Sequence, residues 1–328
     1  MPTSLLRAAL PSGLALLIIG ALLYAGLFIK PQAAGAAVAP SVFTRNDRFY
    51  GVTVPAPKQV WLAGTAGRVL LSRDDGLSWE RQATPTADGL QDIAAWTADK
   101  AVAVGNNAAI VYTTDGGRKW LNAVAPRNAV ANKLLRVRVD GGESAWAVGE
   151  GGSVLVSRDG GATWVGVGKG EDVAWNDVLT FGAHVLIAGE FGQLRRSGDA
   201  GKSWQSVRSG AQTSLMGLAR DDAGQILAVG VNGTVIASGD DGVTWQARPS
   251  PTREHLFAVT WQSGVWTVVG DKGVLLRSRD SGASWSAPSF QNKTLAWQTS
   301  VVDTGAKVYV AGAESALLDE SKRRVFGR

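Results

Sequence analysis

The 328-residue chain contains no cysteine and only two histidines. The absence of cysteine excludes disulfides, thiolate metal sites, a cysteine nucleophile and a lipid-modified cysteine anchor. A metal site needs clustered ligands, whereas His184 and His255 fall in separate predicted strands, where half-buried structural histidines are the favoured interpretation. Walker, Gly-x-Ser-x-Gly and His-Glu-x-x-His motifs do not occur either. We therefore expect no metal and no cofactor.

The chain also has little net charge. Its formal net charge is +5, and its basic residues are dispersed. A charge of this size favours anionic partners, including lipid headgroups, but it is too small to indicate a nucleic-acid-binding protein. We expect no nucleic-acid partner.

The first 40 residues differ from the rest and are predicted to be a targeting segment. Residues 14–29 are uncharged and mostly apolar, Lys30 and Pro31 end this run, and small residues follow. A cleaved signal peptide has an apolar core of about 7–15 residues and a small-residue cleavage site, such as residues 34–36 here. An uncleaved membrane anchor needs about 20 apolar residues. Both interpretations predict membrane association through this segment and an extracytoplasmic, periplasmic location for the rest.

Glycine (41 residues) and tryptophan (13 residues) are abundant. The pattern Ser/Thr-x-Asp-x-Gly-x-x-Trp occurs six times, at residues 72–79, 113–120, 157–164, 197–204, 238–245 and 278–285. A period of about 40 residues with one hairpin signature per repeat is typical of a β-propeller. We therefore predict an all-β chain with one propeller domain over residues 41–328, preceded by an N-terminal hydrophobic helix within residues 1–40.

Each repeat contains the signals of a four-stranded antiparallel blade. The predicted second strands are apolar and end in a glycine that can adopt positive φ in a tight hairpin. These glycines are Gly64, Gly105, Gly149, Gly189, Gly230 and Gly270. A seventh repeat begins near Leu295 but has no copy of the eight-residue pattern (hereafter the box) and no tryptophan after Leu318. Residues 41–45 are predicted to supply its outer strand, so that strands from both termini close a seven-bladed ring and leave no exposed edge.

The repeated box is interpreted as structural. Its hydroxyl and carboxylate groups can hydrogen bond to the turn's own backbone, its glycine supplies the φ of the turn, and its tryptophan buries a large ring. A motif present in every blade does not mark one site. The box aspartates are Asp74, Asp115, Asp159, Asp199, Asp240 and Asp280, and the box tryptophans are Trp79, Trp120, Trp164, Trp204, Trp245 and Trp285.

This box is the Asp-box, or BNR repeat, of sialidases, sortilin-type receptors and related propellers. The fuller repeat over residues 145–164, Ala-Trp-Ala-Val-Gly-Glu-Gly-Gly-Ser-Val followed by the third box, resembles that of the Ycf48/HCF136 family. The resemblance extends over about residues 45–318. It implies a seven-bladed propeller that assists the assembly of photosystem II, and hence a non-enzymatic, monomeric platform for a membrane protein complex or assembly intermediate.

The strand order predicts which face meets a partner. The turn after the second strand and the link to the next blade lie on the same side of a propeller. The predicted partner-binding residues on this side are Glu150, Glu190, Asp271 and Glu314 in the turns and Arg127, Arg208 and Arg253 in the links. Ordinary solvated turn residues are the competing interpretation.

The alternative function is a glycan-active enzyme or a lectin of the sialidase-like class. The arginine triad and Phe/Tyr-Arg-Ile-Pro stretch typical of sialidases are absent, and Tyr50 is the one loose tyrosine candidate. Glycoside hydrolysis needs two carboxylates flanking one bond, and loops of different blades can assemble such a pair. We expect no catalytic residues, and a glycan array or a glycoside panel separates the two functions.

Overall fold

The computed structural model describes residues 5–28, 42–127, 133–168, 171–288, 294–319 and 322–327. It divides into two compact units, Met1–Ser41 and Val42–Arg328. The first unit contains helix α1 (Leu5–Phe28), whose apolar side chains include Leu17, 73% exposed. None of the helices in the described ranges combines the length and the apolarity that crossing a membrane requires.

The second unit consists of strands that follow one another in antiparallel groups. The first group comprises β1 (Phe49–Ala56), β2 (Gln59–Gly64), β3 (Val69–Ser72) and β4 (Glu80–Gln82). The second and third comprise β5 (Leu90–Ala95), β6 (Ala101–Gly105), β7 (Ile110–Thr113), β8 (Leu121–Asn122), β9 (Leu134–Val139), β10 (Ala145–Gly149), β11 (Val154–Ser157) and β12 (Val165–Gly166). The fourth and fifth comprise β13 (Trp175–Phe181), β14 (His184–Gly189), β15 (Gln193–Ser197), β16 (Gln205–Arg208), β17 (Leu215–Arg220), β18 (Ile226–Gly230), β19 (Val235–Ser238) and β20 (Gln246–Ala247). The last two comprise β21 (Leu256–Gln262), β22 (Val265–Gly270), β23 (Leu275–Ser278), β24 (Gln298–Asp303), β25 (Val308–Gly312), β26 (Ala316–Asp319) and β27 (Lys322–Val325).

Within each group every strand pairs with the next along the chain. Each first strand packs against the first strand of the next group, and β24 packs against β1. The first and last groups are joined by one backbone pair, between Phe49 and Gly312. This is an all-β, propeller-like fold of mainly four-stranded antiparallel sheets.

The core lies between neighbouring groups. The second strands are buried along nearly their whole length, as in the continuous burial of β6, β10 and β18. Strands covered on both faces need apolar side chains on both, which explains the runs of valine, alanine and leucine. One cluster contains Trp61 of the first group and Trp120 of the second, whose rings meet edge to face at 5.4 Å.

The glycines that end the second strands serve a different purpose from the predicted one. Gly64 and Gly105 have φ values of −169° and −170°, which any residue adopts, so positive φ is not the reason for glycine. A Cβ on Gly64 would lie 1.9 Å from the Arg48 carbonyl oxygen, and one on Gly105 would lie 2.2 Å from the Gly89 carbonyl oxygen. Glycine is required because the main chain preceding each first strand passes directly over this position.

The prediction that residues 41–45 supply the outer strand of the last group was wrong. That strand is β27, which pairs with β26 from Ala316↔Val325 to Asp319↔Lys322. Residue 41 lies outside the described residues, and residues 42–45 form bends and turns. Phe43 instead packs edge to face against Phe49 and Trp79, each at 5.7 Å. The N-terminal stretch therefore covers the join between the last and first groups.

The sixth group has three strands, although its box predicts a fourth. A single bridge, Arg277↔Ser286, takes the place of that strand. In three other groups the residue ten positions after the start of the box donates its amide to the third strand, as Arg248 does to the Val235 carbonyl at 2.9 Å. Pro288 occupies this position in the sixth group. Because proline has no amide hydrogen, the ladder ends there.

Candidate functional site

Every first strand carries a β-bulge at its second residue, where its register with the second strand shifts. A bulge leaves one residue unpaired and redirects its side chain. The bulged residues are Tyr50, Gln91, Leu135, Asn176, Met216, Phe257 and Thr299. Together with Arg136 they line a cavity of about 110 Å³, which we call the axial cavity. Each group thus contributes one bulged side chain to the same cavity.

In three groups the third residue of the first strand accepts a hydrogen bond from the main chain of an adjacent group's first strand. A first strand is the inner edge of its sheet, so its inward amides have no ladder partner and need another acceptor. The acceptors are Asp92 Oδ2 for the Val137 amide (3.0 Å), Asp177 Oδ2 for the Leu218 amide (2.9 Å) and Ser300 Oγ for the Val52 amide (3.3 Å). These side chains join the groups around the axial cavity.

Two arginines on β9 balance the buried carboxylates. Arg138 donates Nε and Nη2 to the Asp177 carboxylate at 3.1 and 2.9 Å. Arg136 lies 3.6 Å from Asp177 and 3.8 Å from Asp92, and its Nη2 donates to the Thr299 carbonyl of the last group at 3.3 Å. Its buried Nε has no hydrogen-bond partner among the described residues. Arg136, the charged residue that lines the axial cavity, therefore has two carboxylates close to it.

Burial and the neighbouring charges shift the pKa values of Asp92 and Arg138. Burial raises the pKa of Asp92, and the opposing charges of Arg136 and Arg138 offset only part of that rise. Burial by itself would lower the pKa of Arg138, but the charge and hydrogen bonds of Asp177 raise it overall. Arg138 is thus held in its charged form.

The four predicted acidic residues lie in the turns after the second strands, all half-buried. The Glu190 carboxylate accepts the Ala174 amide at 2.9 Å. Glu314 accepts the Thr294 hydroxyl at 2.8 Å and pairs with Arg323 at 2.7 Å. These two carboxylates therefore hold their turns against neighbouring segments of the same chain.

The other two acidic residues, Asp271 and Glu150, take part in main-chain hydrogen bonds at their turns. The Asp271 carboxylate accepts the amide of the next residue, Lys272, at 2.9 Å. Glu150 is half-buried, and its amide donates to the Lys133 carbonyl at 2.9 Å. Contact between each turn and the chain leading into its own first strand places turns and links on one face.

The three predicted basic residues are all exposed, and Arg127 and Arg253 lie in the links. The prediction that Arg208 lies in a link was wrong, because Arg208 is the last residue of strand β16 and pairs with Gln193. Within the described part of the chain, no ion pair connects them to the four acidic turn residues. The face is therefore mixed: its acidic groups are partly used for internal contacts, and its basic groups face solvent.

The Asp-boxes have the same internal geometry. In the first, the Ser72 hydroxyl accepts the Gly76 amide at 2.7 Å and donates to Asp74 at 2.8 Å, and Asp74 accepts the Ser78 amide at 2.8 Å. The hydrogen bond from the Ser78 hydroxyl is the main cause that lowers the pKa of Asp74 to about 2. The bond from the first hydroxyl of the box to its aspartate is also made in the other boxes, to Asp115, Asp159, Asp199, Asp240 and Asp280.

The box tryptophans are placed for packing. Trp120 and Trp164 are buried, and Trp79, Trp204, Trp245 and Trp285 are half-buried. The box glycines have positive φ, for example 79° at Gly76 and 89° at Gly161, as predicted.

Both histidines act as hydrogen-bond acceptors. His184 Nδ1 lies 3.1 Å from Arg196 Nη2, and His255 Nδ1 accepts the Asn232 amide at 3.1 Å. Because arginine only donates, His184 carries its proton on Nε2. The two rings belong to different groups, and the described residues hold no group of three or more potential metal ligands of the His, Asp and Glu types.

The axial cavity and the charged residues beside it were not predicted from the sequence. One signal was available: Asp92, Arg136 and Asp177 occupy equivalent positions in three first strands, and aspartate is depleted in strands. The bulges have no comparable signature, since residues as different as Tyr50 and Asn176 occupy the same position.

Successive antiparallel strand groups, in most of which an Asp-box turn follows the third strand, are typical of an Asp-box β-propeller. A family model described as photosynthesis system II assembly factor YCF48 matches residues 77–319. The chain therefore belongs to the YCF48 family. No curated protein sequence matches it.

Solved structures give the same fold at low sequence identity. A structure of YCF48 bound to D1 peptide has a TM-score of 0.68 at 15% identity, covering 88% of this chain and 94% of that one. YCF48 from Cyanidioschyzon merolae has a TM-score of 0.68 at 18% identity, covering 86% and 96%. An ancestral GH74 enzyme has a TM-score of 0.67 at 14% identity, covering 85% of this chain and 46% of that one. At these identities the similarity shows the fold alone.

Proposed function

We propose that this protein is a non-enzymatic binding and assembly factor for a membrane protein complex. It binds a segment of its partner on the face that carries the turns and links, across the mouth of the axial cavity. The convergence of one bulged side chain from every group on this cavity carries the proposal. Membership of the YCF48 family and the fold shared with YCF48 bound to D1 peptide support it.

The composition of the cavity suits peptide recognition. Tyr50, Leu135, Met216 and Phe257 provide apolar surface, and the remaining bulged residues provide an amide or a hydroxyl. Clustered aromatic and apolar side chains with a few polar groups are typical of binding sites. The bulged conformations are fixed by the surrounding sheets, so little freedom is lost on binding.

The contacts of the Asp92 and Asp177 carboxylates favour a binding function over hydrolysis. Hydrolysis of a glycosidic bond needs two carboxyl groups free to reach the bond from either side. Asp177 is fully buried between Arg138 and the Leu218 amide, and Asp92 is bonded to the Val137 amide. We therefore infer that neither carboxylate acts on a substrate.

We further infer that the strand groups are seven blades of one closed propeller. The packing of β24 against β1 and the Phe49↔Gly312 pair support this closure. We propose an extracytoplasmic, periplasmic location, with residues 1–40 acting as a signal or an anchor, because of their apolar run and the small residues behind it. We also propose that the protein acts as a monomer.

Crosslinking and purification from detergent-solubilised membranes test the function. The tagged wild-type protein is expected to recover a membrane complex that mass spectrometry identifies. A variant with Tyr50, Met216 and Phe257 changed to serine is expected to lose it. The matched control carries serine at Leu77 and Val243, which are exposed in box turns. Recovery of only free protein by the wild type contradicts the proposed function, as does activity on a panel of fluorogenic glycosides.

A further inference from the structure

The turns after the second strands share a main-chain conformation that disfavours large side chains. Their central residue is left-handed, with φ of 55° at Ala66, 54° at Asn107, 58° at Asn232 and 48° at Lys272. In the fourth group this residue is Phe191, with φ 54° and ψ 31°. The left-handed region suits glycine and asparagine and strains a bulky side chain. Phe191 is the single aromatic residue with positive φ in the described part of the chain.

Burial does not offset this strain. The Phe191 side chain is 71% exposed, so the ring gains little from leaving water. An isolated exposed apolar residue is ordinary. An exposed apolar residue with a strained main chain, however, has a conformational free-energy cost that burial of its side chain does not offset. Strain that persists without a structural benefit is a mark of function.

The turn that carries Phe191 is held on both sides. The Glu190 carboxylate accepts the Ala174 amide at 2.9 Å, and the Ser209 hydroxyl donates to the Gly192 carbonyl at 2.6 Å. A Cβ on Gly192 would lie 2.1 Å from the Ala211 carbonyl oxygen, so the link passes directly over the turn. The ring is therefore presented from a fixed backbone.

We propose that Phe191 is an aromatic anchor that inserts into an apolar pocket of a folded protein partner. The inference rests on the proposed function and names a contact within it. The turn packs against β17, whose second residue, Met216, lines the axial cavity. The turn that carries Phe191 thus packs next to a strand that contributes to the cavity. Rigid aromatic side chains dominate the energy of many protein interfaces, because they bury a large area and lose little entropy.

A protein pocket fits the surroundings better than a lipid surface does. Insertion into a membrane needs several apolar side chains beside basic ones. Glu190 precedes Phe191 in the chain, and three of the equivalent turns present the polar residues Asn107, Asn232 and Lys272, while a fourth presents the small residue Ala66. A single aromatic ring in polar surroundings is typical of an anchor for one pocket.

The test compares Phe191→Asn with Lys272→Asn, which makes the same replacement in the equivalent turn of the sixth group. Asparagine tolerates the left-handed conformation, so Phe191→Asn is expected to raise the melting temperature by about 2 °C. The probe is the detergent-solubilised, crosslinked membrane fraction of the source cells. Phe191→Asn is expected to recover at least fivefold less of the complex recovered by the wild type, and Lys272→Asn an unchanged amount.

Each outcome has a distinct meaning. Equal recovery by Phe191→Asn and the wild type overturns the anchor and leaves the proposed function standing. No recovery by the wild type removes the proposed function and the anchor with it. A fall in the melting temperature of Phe191→Asn shows that the ring stabilises the fold, and this too overturns the proposal. Lost recovery with an equal or higher melting temperature supports it.

Discussion

Replacing Asp177 by asparagine is expected to destabilise the protein strongly. Asp177 is fully buried and accepts hydrogen bonds from the Leu218 amide and from Arg138, and Arg136 lies 3.6 Å away. Asparagine removes the negative charge and turns an amide donor toward guanidinium donors. One of the two arginines, Arg136, has a side chain only 10% exposed and cannot recover its charge stabilisation from water.

The magnitude follows from the two arginines. Removing one partner of a buried ion pair costs about 3–5 kcal/mol. The Arg138 side chain is 39% exposed, and water compensates part of its loss. We therefore expect Asp177→Asn to lower the free energy of unfolding by about 3 kcal/mol, which corresponds to a melting temperature lower by about 6–10 °C.

Asp92→Asn is the matched control. The Asp92 carboxylate accepts the Val137 amide, and its nearest arginine nitrogen, in Arg136, is 3.8 Å away. An asparagine oxygen keeps the amide bond, and burial already opposes the charge of Asp92. We expect a loss of about 1 kcal/mol. Urea unfolding of both variants is the assay. Equal losses, or a loss below about 1 kcal/mol for Asp177→Asn, refute the role given to the Arg138–Asp177 pair.

Three further results are expected. Hydrogen bonds, chiefly those from Ser78 and Ser284, lower the pKa values of Asp74 and Asp280 from 3.8 to about 2. The stabilisation that these two carboxylates provide is therefore complete above pH 3.8 and is lost as the pH falls toward 2. The melting temperature should drop in that window, and an unchanged melting temperature contradicts the box geometry. Gly105→Ala places a Cβ 2.2 Å from a carbonyl oxygen and should destabilise by about 3 kcal/mol in urea unfolding, whereas Gly141→Ala, with no atom within 4 Å, should change stability by less than about 0.5 kcal/mol. Pro288→Ala restores an amide that can bond to the Leu275 carbonyl, and hydrogen exchange should detect protection at residue 288; rapid exchange there refutes the reason given for the missing strand.

The sequence was sufficient to predict the repeat, because each box uses side chains of its own turn. The Ser72, Asp74 and Gly76 contacts depend on residues at most four positions apart. The second strands were equally predictable from their apolar runs. Local interactions of this kind leave a periodic trace that one sequence reveals.

The axial cavity depends instead on neighbours far apart in the chain. Arg136 donates to the Thr299 carbonyl across 163 positions of the sequence, and the Val52 amide donates to the Ser300 hydroxyl across 248. The outer strand of the last group was missed for a different reason. Residues 322–325 contain Lys-Arg-Arg-Val, which carries no clear strand alternation, yet hairpin pairing with the preceding strand β26 makes them a strand. Pairing with a neighbouring strand here overrides weak intrinsic preference.

The direct test of the central claim is crosslinking mass spectrometry of the purified complex with a lysine-reactive reagent. Lys133 and Lys272 lie on the face of the turns and links, next to a first strand and in a turn. Lys58, Lys100 and Lys202 lie in the first hairpins and a box turn, on the opposite face. If the partner binds the face of the turns and links, partner crosslinks to Lys133 and Lys272 are expected. Crosslinks confined to Lys58, Lys100 and Lys202 would contradict binding on that face.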